Sequence, residues 1–208
     1  MSPRIKPVLR SRRWKKGDMQ GITTKELEAM LKASKNDSHA DRNRLMLKLG
    51  FEFGLRVSEL LELRVRDIDL ENAQIHLERS KHGKVHDPAI LNALLRDLKS
   101  YLKKRNGKPN DYLFVSQWNS EKPISRVYFF KWFQKTAQAA GLPIAKQHPH
   151  ALRHGLGFLL SANGCNAQTI GQALGHRDGR MALMFYGSVT DEVADDARKD
   201  ALRHCSYL

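Results

Sequence analysis

Residues 54–63 read GLRVSELLEL, and the parsing of this stretch decides how the rest of the chain is assembled. VSELLEL has the apolar spacing of a short helix. Gly54 therefore stands in the turn before it, and Arg56 at the helix start, where backbone donors and a guanidinium are able to converge on a phosphate. Taken by itself, Arg56 reads instead as a surface ion pair. Upstream, Leu45, Leu49 and Phe53 at four-residue steps predict a helix over about 40–53, with Gly54 placed to end it. Before that, Thr23 and Glu26 form a capping-box pattern ahead of Leu27, Met30 and Leu31, which predicts a first helix over about 24–34.

Downstream, AQIHLER (73–79) alternates as a strand, SKHGK (80–84) turns around Gly83, and VHDP (85–88) stays extended until Pro88. The expectation is a β-hairpin with Lys81 and Lys84 at its tip. A long amphipathic helix follows, with Leu91, Leu94, Leu95, Leu98, Tyr101 and Leu102 as its buried side. After the extended YLFVS (112–116), another helix starts from Ser125. Helices then dominate to the end, with Gly141, Gly164 and Gly179 as stop signals. The fold class predicted is mainly α with a small antiparallel β-sheet.

The chain has 208 residues, long enough for one ordinary domain with a real core. Lys and Arg outnumber Asp and Glu by 36 to 22, a net charge of +14 that favours a polyanionic partner. Residues 1–16 hold Arg4, Lys6, Arg10, Arg12, Arg13, Lys15 and Lys16 with no acid, so seven cations supply half of that charge. Such a segment cannot fold alone; it reads either as a solvated tail or as a phosphate-binding arm. No apolar run approaches membrane-spanning length, which disfavours a membrane partner. The two cysteines, Cys165 and Cys205, form no spaced framework, and the basic N-terminus lacks an apolar stretch behind it. These features read as a reduced, cytosolic protein.

Four segments place Arg, Lys, His and Tyr at helix ends or turns: GLRVSELLEL, SKHGK, HPHALRHGLG (148–157) and ALGHRDGRMALMFYGSV (173–189). His150 and Arg153, three residues apart on a predicted helix, share a face, with Leu152 pointing to the core between them. A zinc reading of His148, His150, His154, His176 and Cys165 fails on detail. The residue after His150 is Ala151 where a metalloprotease needs Glu, and no CxxC or second close ligand pair completes a structural site. No Gly-x-Ser-x-Gly elbow or P-loop occurs, and Cys165 lacks an evident activating partner. What remains is able to handle a phosphodiester without metal: two arginines, a lysine, two histidines and a tyrosine.

In order and spacing these segments resemble the tyrosine recombinase family, which includes phage integrases and fimbrial phase-switch invertases. The family's first arginine box matches Arg56, followed by the acid Glu59, and its hairpin lysine matches Lys81, with Lys84 as second choice. The HxxRH box matches His150, Arg153 and His154. The LGH box matches Leu174, Gly175 and His176, and the nucleophile matches Tyr186, one residue further on than is usual. The resemblance covers roughly residues 22–190. It implies residues 1–21 as a basic arm, disordered without DNA, and 22–208 as the catalytic domain, either of a naturally short family member resembling the invertases or as a fragment of a longer one.

The resemblance further implies site-specific DNA cleavage and rejoining through a 3′-phosphotyrosine, with no cofactor. Arg56 and Arg153 would stabilise the charged phosphate, Tyr186 would attack, His150 would serve as base and Lys81 as acid. His176 would hydrogen-bond a phosphate oxygen, and Glu59 and His154 would support the set from behind. Arg4, Lys6, Arg10, Arg12, Arg13, Lys15, Lys16 and Lys84 would contact DNA. Double-stranded recombination sites, a homotetramer on synapsed DNA and accessory DNA-bending proteins are the implied partners. A helix after Thr190, with Val193, Ala197 and Ala201, packs either on its own domain or on a neighbour. Rival readings are a type IB topoisomerase and a non-catalytic DNA-binding regulator.

Overall fold

A computed structural model of the protein describes residues 20–78, 85–116 and 121–175. In chain order the elements are α1 (Thr24–Ala33), α2 (Ala40–Glu52), α3 (Val57–Glu62), β1 (Ile68–Asp69), β2 (Gln74–Ile75), β3 (Leu77–Glu78), β4 (Val85–His86), α4 (Asn92–Arg105), α5 (Arg126–Ala139), α6 (His150–Ala162) and α7 (Ala167–Ala173). Short 3-10 turns at Val65–Asp67 and Ile144–Lys146 follow α3 and precede α6. None of the described helices is long and apolar enough to cross a membrane.

Local chemistry explains where the helices start and stop. Thr23 accepts from the Glu26 amide at 3.2 Å while Glu26 Oε2 accepts from the Thr23 amide at 2.8 Å, a complete capping box. Ser125 and Asn166 cap α5 and α7 in the same sense, each side chain accepting from the amide three residues on. α2 ends at Glu52 with Phe53 as its C-cap, and Gly54 follows with φ +56°, the left-handed conformation glycine adopts most cheaply.

α2 lies at the centre. Leu45, Met46, Leu47 and Leu49 are all buried, so the helix has no broad solvent face. It packs on α4, α6 and α3, and burying each such leucine contributes about 1.5–3 kcal/mol. A Cβ on Gly50 would lie 2.9 Å from Leu152 Cδ1, so glycine at this point lets the leucine of α6 press onto the α2 backbone. The buried Arg42 ties α2 to later parts of the chain. It donates to the Val115 carbonyl at 3.1 Å and to the Tyr128 hydroxyl at 3.2 Å.

The strands follow the expected hairpin, with one addition. β3 pairs antiparallel with β4 (Leu77 opposite His86), and the same register continues to Gln74 opposite Ala89. β2 pairs also with β1 (Ile68 opposite Ile75), a strand that carries no signal in the sequence. β1 and the turn after it arise from Asp69, whose carboxylate accepts from the amides of Glu71 and Asn72 and closes an Asx-type turn. Ala73, at φ 52°, then reverses the chain into β2. Leu91 departs from expectation. It precedes the first turn of α4 and is 69% exposed, so it falls outside the helix's buried stripe, which holds Leu94, Leu98 and Tyr101. Gly141 and Gly164 follow α5 and α6 with positive φ, as stop signals should; Gly179 lies outside the described residues.

Candidate active site

Arg56 is the residue before α3, and its position is held by Glu59 in the first turn of that helix. The Glu59 carboxylate accepts from the Arg56 backbone amide at 2.9 Å and from its guanidinium Nη1 at 2.6 Å. The Glu59 side chain is only 3% exposed and that of Arg56 21%. The pair is thus neither a loose surface contact nor fully sealed. A buried carboxylate anchors one side of the fork and leaves the arginine at the edge of solvent.

Arg153 comes from α6 and is almost fully buried. Its Nη1 donates to the Gly54 carbonyl at 2.6 Å, a bond spanning 99 residues. The left-handed Gly54 turn therefore does two things: it ends α2 and offers a carbonyl that anchors the Arg153 guanidinium. Leu174 closes the arrangement from the far end of the described chain. It is fully buried, and a Cβ on Gly54 would lie 2.6 Å from its Cδ2. Gly175 follows with φ +63°, so the last described residues adjoin the turn that carries Arg56.

His150 opens α6, one turn before Arg153 and His154. Its ring lies edge-on to the buried His154 ring, with centroids 4.9 Å apart. His150 keeps an exposed surface, yet protein atoms crowd around its ring. That burial, reinforced by the charges of Arg153, His148 and Arg56 and opposed by Glu59, lowers its pKa to about 4. His150 is therefore neutral at physiological pH. His148, half-buried and itself pushed below the ordinary histidine value by burial, contributes to that lowering. In the sequence His148 stands out only as a zinc ligand that fails; its place one residue before Pro149, ahead of α6, is the signal that points to this position.

The start of α6 is supported from outside. The Ile22 amide donates to the Ala151 carbonyl at 2.9 Å. Gly21 and Gly155 meet backbone to backbone; a Cβ on Gly155 would lie 2.2 Å from the Ile22 carbonyl oxygen. Lys146, in the turn before His148, bonds both Glu26 carboxylate oxygens at 2.8 Å. That contact holds the Glu26 carboxyl below its usual pKa, against the opposing effect of burial. None of these supports was foreseen, because glycines and lone charges carry no partner information in one sequence.

The structure thus brings Arg56, Glu59, His150, Arg153 and His154 together. A recess of about 690 Å³ beside them runs between α3 and β3, lined by Glu59 on one side and Glu78 on the other. β3 and β4 lead into and out of residues 79–84, so Lys81 and Lys84 lie outside the described residues, as do His176, Tyr186 and residues 1–19 with Arg4, Lys6, Arg10, Arg12, Arg13, Lys15 and Lys16. The helix expected after Thr190 is outside them too. Two guanidiniums and a neutral imidazole at one point are able to hold a phosphate and accept a proton beside it.

Comparison with known proteins supplies the family. The pattern describing the phage integrase family matches residues 20–192. The type 1 fimbriae regulatory protein FimB of Escherichia coli K12 is 35% identical over 170 residues, covering 80% of this chain and 84% of that protein. The tyrosine recombinase XerA of Pyrococcus furiosus is 29% identical over 158 residues, 76% of this chain and 53% of that protein. Among solved structures, the XerH site-specific recombinase bound to a palindromic difH substrate, a post-cleavage complex, superposes with a TM-score of 0.72 at 26% identity. The match covers 86% of this chain and 52% of XerH, so the chain spans about half the length of that protein.

Proposed function

The chain belongs to the phage integrase family, that of the tyrosine recombinases, and from that premise we propose that it cleaves and rejoins DNA at specific sites through a 3′-phosphotyrosine on Tyr186. The observation that carries the reading is the convergence of Arg56 and Arg153, each held by an internal acceptor, beside a neutral His150. In the proposed reaction the Tyr186 phenolic oxygen attacks phosphorus and the bond to the 5′ oxygen breaks. His150 takes the phenolic proton, and Lys81 delivers a proton to the departing oxygen. Arg56 and Arg153 stabilise the charge that grows on the non-bridging oxygens, with His176 bonding one of them. The covalent link conserves the bond energy, so rejoining to a new strand needs no nucleotide.

Duplex recombination sites are the proposed partners, in line with the DNA-bound XerH structure. The seven cations of residues 1–16 and Lys84 would add phosphate contacts. A tetramer on two paired sites and accessory bending proteins complete the proposal.

The test is a nicked suicide duplex incubated with the full chain in excess EDTA. A covalent adduct is expected, mapping to the peptide that contains Tyr186 and absent in Tyr186→Phe. An adduct on Tyr207, or cleavage that returns only with added Mg²⁺ or Zn²⁺, would overturn the mechanism.

The role of His150 has its own signature in pH. A base works only when neutral, so the activity it supports is present above its pKa and lost as pH falls through that value. With a free-protein pKa of about 4, kcat/KM for cleavage should hold level down to about pH 5 and not fall at the ordinary histidine value of about 6.5. An acid limb centred at 6.5 would place the base elsewhere.

A further inference from the structure

The turn that leads into α6 has little apolar contact to hold it. Pro143, Ile144 and Ala145 are exposed, Ile144 to 86%, and no residue of the 3-10 turn Ile144–Lys146 is buried. Most of its hydrogen bonds among the described residues are local. The Lys146 and Gln147 amides donate to the Pro143 and Ile144 carbonyls, and Gln147 Nε2 donates to the Leu142 carbonyl at 2.8 Å. Lys146 reaches further. Its ammonium bonds both carboxylate oxygens of Glu26, 120 residues away, and the two side chains are only 14% and 25% exposed. A shielded pair with two bonds holds a position better than an exposed surface pair does.

Glu26 is itself fixed. Its carboxylate accepts from the amide and the hydroxyl of Thr23 at 2.8 and 3.0 Å, in the capping box that starts α1. Ile22, one residue earlier, donates its amide to the Ala151 carbonyl at 2.9 Å. Gly155 comes so close behind it that a Cβ there would lie 2.2 Å from the Ile22 carbonyl oxygen. The corner formed by residues 22–26 therefore grips the chain on both sides of His150, at Lys146 before it and at Ala151 directly after it. Helix ends fray, and His150 is the first residue of α6. Its place depends on what holds the chain ahead of the helix.

Resting on the recombinase reading, we propose that Glu26 and Lys146 are positioning residues for strand cleavage: by clamping the turn ahead of α6 to the start of α1, they fix the place from which His150 accepts the tyrosine proton. Neither touches the reacting atoms. Proton transfer needs heavy atoms within about 3 Å of each other, and a displacement of about 1 Å costs up to about 10²-fold in rate. Release of the clamp also lets His150 move toward solvent, away from the burial and the charges of Arg153, His148 and Arg56 that together outweigh Glu59 and keep it neutral.

The test compares the wild-type chain with Glu26→Gln/Lys146→Met, which removes the pair without changing the net charge or leaving a lone buried ion. At saturating duplex the double variant should cleave about 10–10²-fold more slowly in a single turnover, with DNA affinity and its salt dependence unchanged. Each single substitution should lose about as much as the double, since the two act as one unit. Lys146→Arg, which keeps two bonds to the carboxylate, should recover most of the rate. In the DNA-free double variant, NMR titration of the His150 ring should move from about 4 toward the ordinary histidine value of about 6.5, and the acid limb of kcat/KM should move with it. Glu26→Gln alone retains a capping-box side chain and carries the same test at less risk to folding. Asp41→Asn, which breaks the Asp41–Lys104 pair between α2 and α4, should leave both rate and titration as in the wild type. A wild-type rate in the double variant, slowing without a shift of the His150 titration, or equal slowing in Asp41→Asn overturns the proposal. The titration is read without catalysis, and adduct formation by the wild type decides the recombinase reading, so the two fail separately.

Discussion

Alanine in place of Arg153 is expected to slow single-turnover strand cleavage by about 10²–10³-fold, the usual cost of removing one donor aimed at a developing oxyanion. The geometry explains why the loss should fall on the rate more than on binding. Arg153 is buried and held by the Gly54 carbonyl at 2.6 Å, so in the proposed reaction it would meet the phosphate already oriented, while most phosphate contacts that set affinity would lie elsewhere. Arg153→Lys keeps the charge but loses the rigid fork that spans the carbonyl and the phosphate together, and should recover only a small part of the rate. Removal also strips the buried Gly54 carbonyl of its donor, costing about 1–3 kcal/mol of stability, which a thermal melt run beside the kinetics will show. Cleavage within tenfold of wild type, in a variant that remains folded and saturated with DNA, would remove Arg153 from the catalytic set.

Lys81→Ala should be nearly inactive on ordinary DNA yet substantially rescued when sulfur replaces the bridging 5′ oxygen. A general acid matters only while the leaving oxygen is strongly basic, and a thiolate leaves without a proton. Arg56→Ala and Arg153→Ala should stay impaired on both substrates, because charge on the non-bridging oxygens develops whichever group departs. Glu78, the last described residue before the segment that holds Lys81 and Lys84, lines the same recess as Glu59, and the proposal of a hairpin lysine as donor rests on that. Rescue of Lys84→Ala and not of Lys81→Ala would shift the hairpin register by three residues. Rescue of neither would move the acid to another part of the chain.

Much of the helical framework was legible in the sequence because its signals are local. Thr23 with Glu26, Ser125, and Gly54 placed the ends of α1, α2 and α5 to within a residue or so, since capping and left-handed glycines act within one turn. The strands were read less well. AQIHLER alternates as one strand and does pair with the segment after the turn in a single register, Leu77 opposite His86 and Gln74 opposite Ala89, but the Ile68–Asp69 segment that also pairs with it carried no strand signal. Two-residue strands are too short for alternation to register. Leu91 matched the helical stripe of α4 in spacing, yet it lies before the first turn, where that spacing no longer applies.

The amino-acid sequence by itself determined the class of the fold, the caps, the excess of positive charge and the ordered boxes that name Arg56, Glu59, His150, Arg153 and His154 as one set. Only the tertiary structure decided that Gly54 anchors Arg153, that Glu59 is buried beneath Arg56, that burial and neighbouring cations keep His150 neutral, and that Glu26 meets Lys146 ahead of α6. Helix periodicity and capping depend on residues within about four positions of each other. Burial, pKa and the orientation of a guanidinium depend on which surfaces meet after α2 and α6, a hundred residues apart in the chain, are packed together.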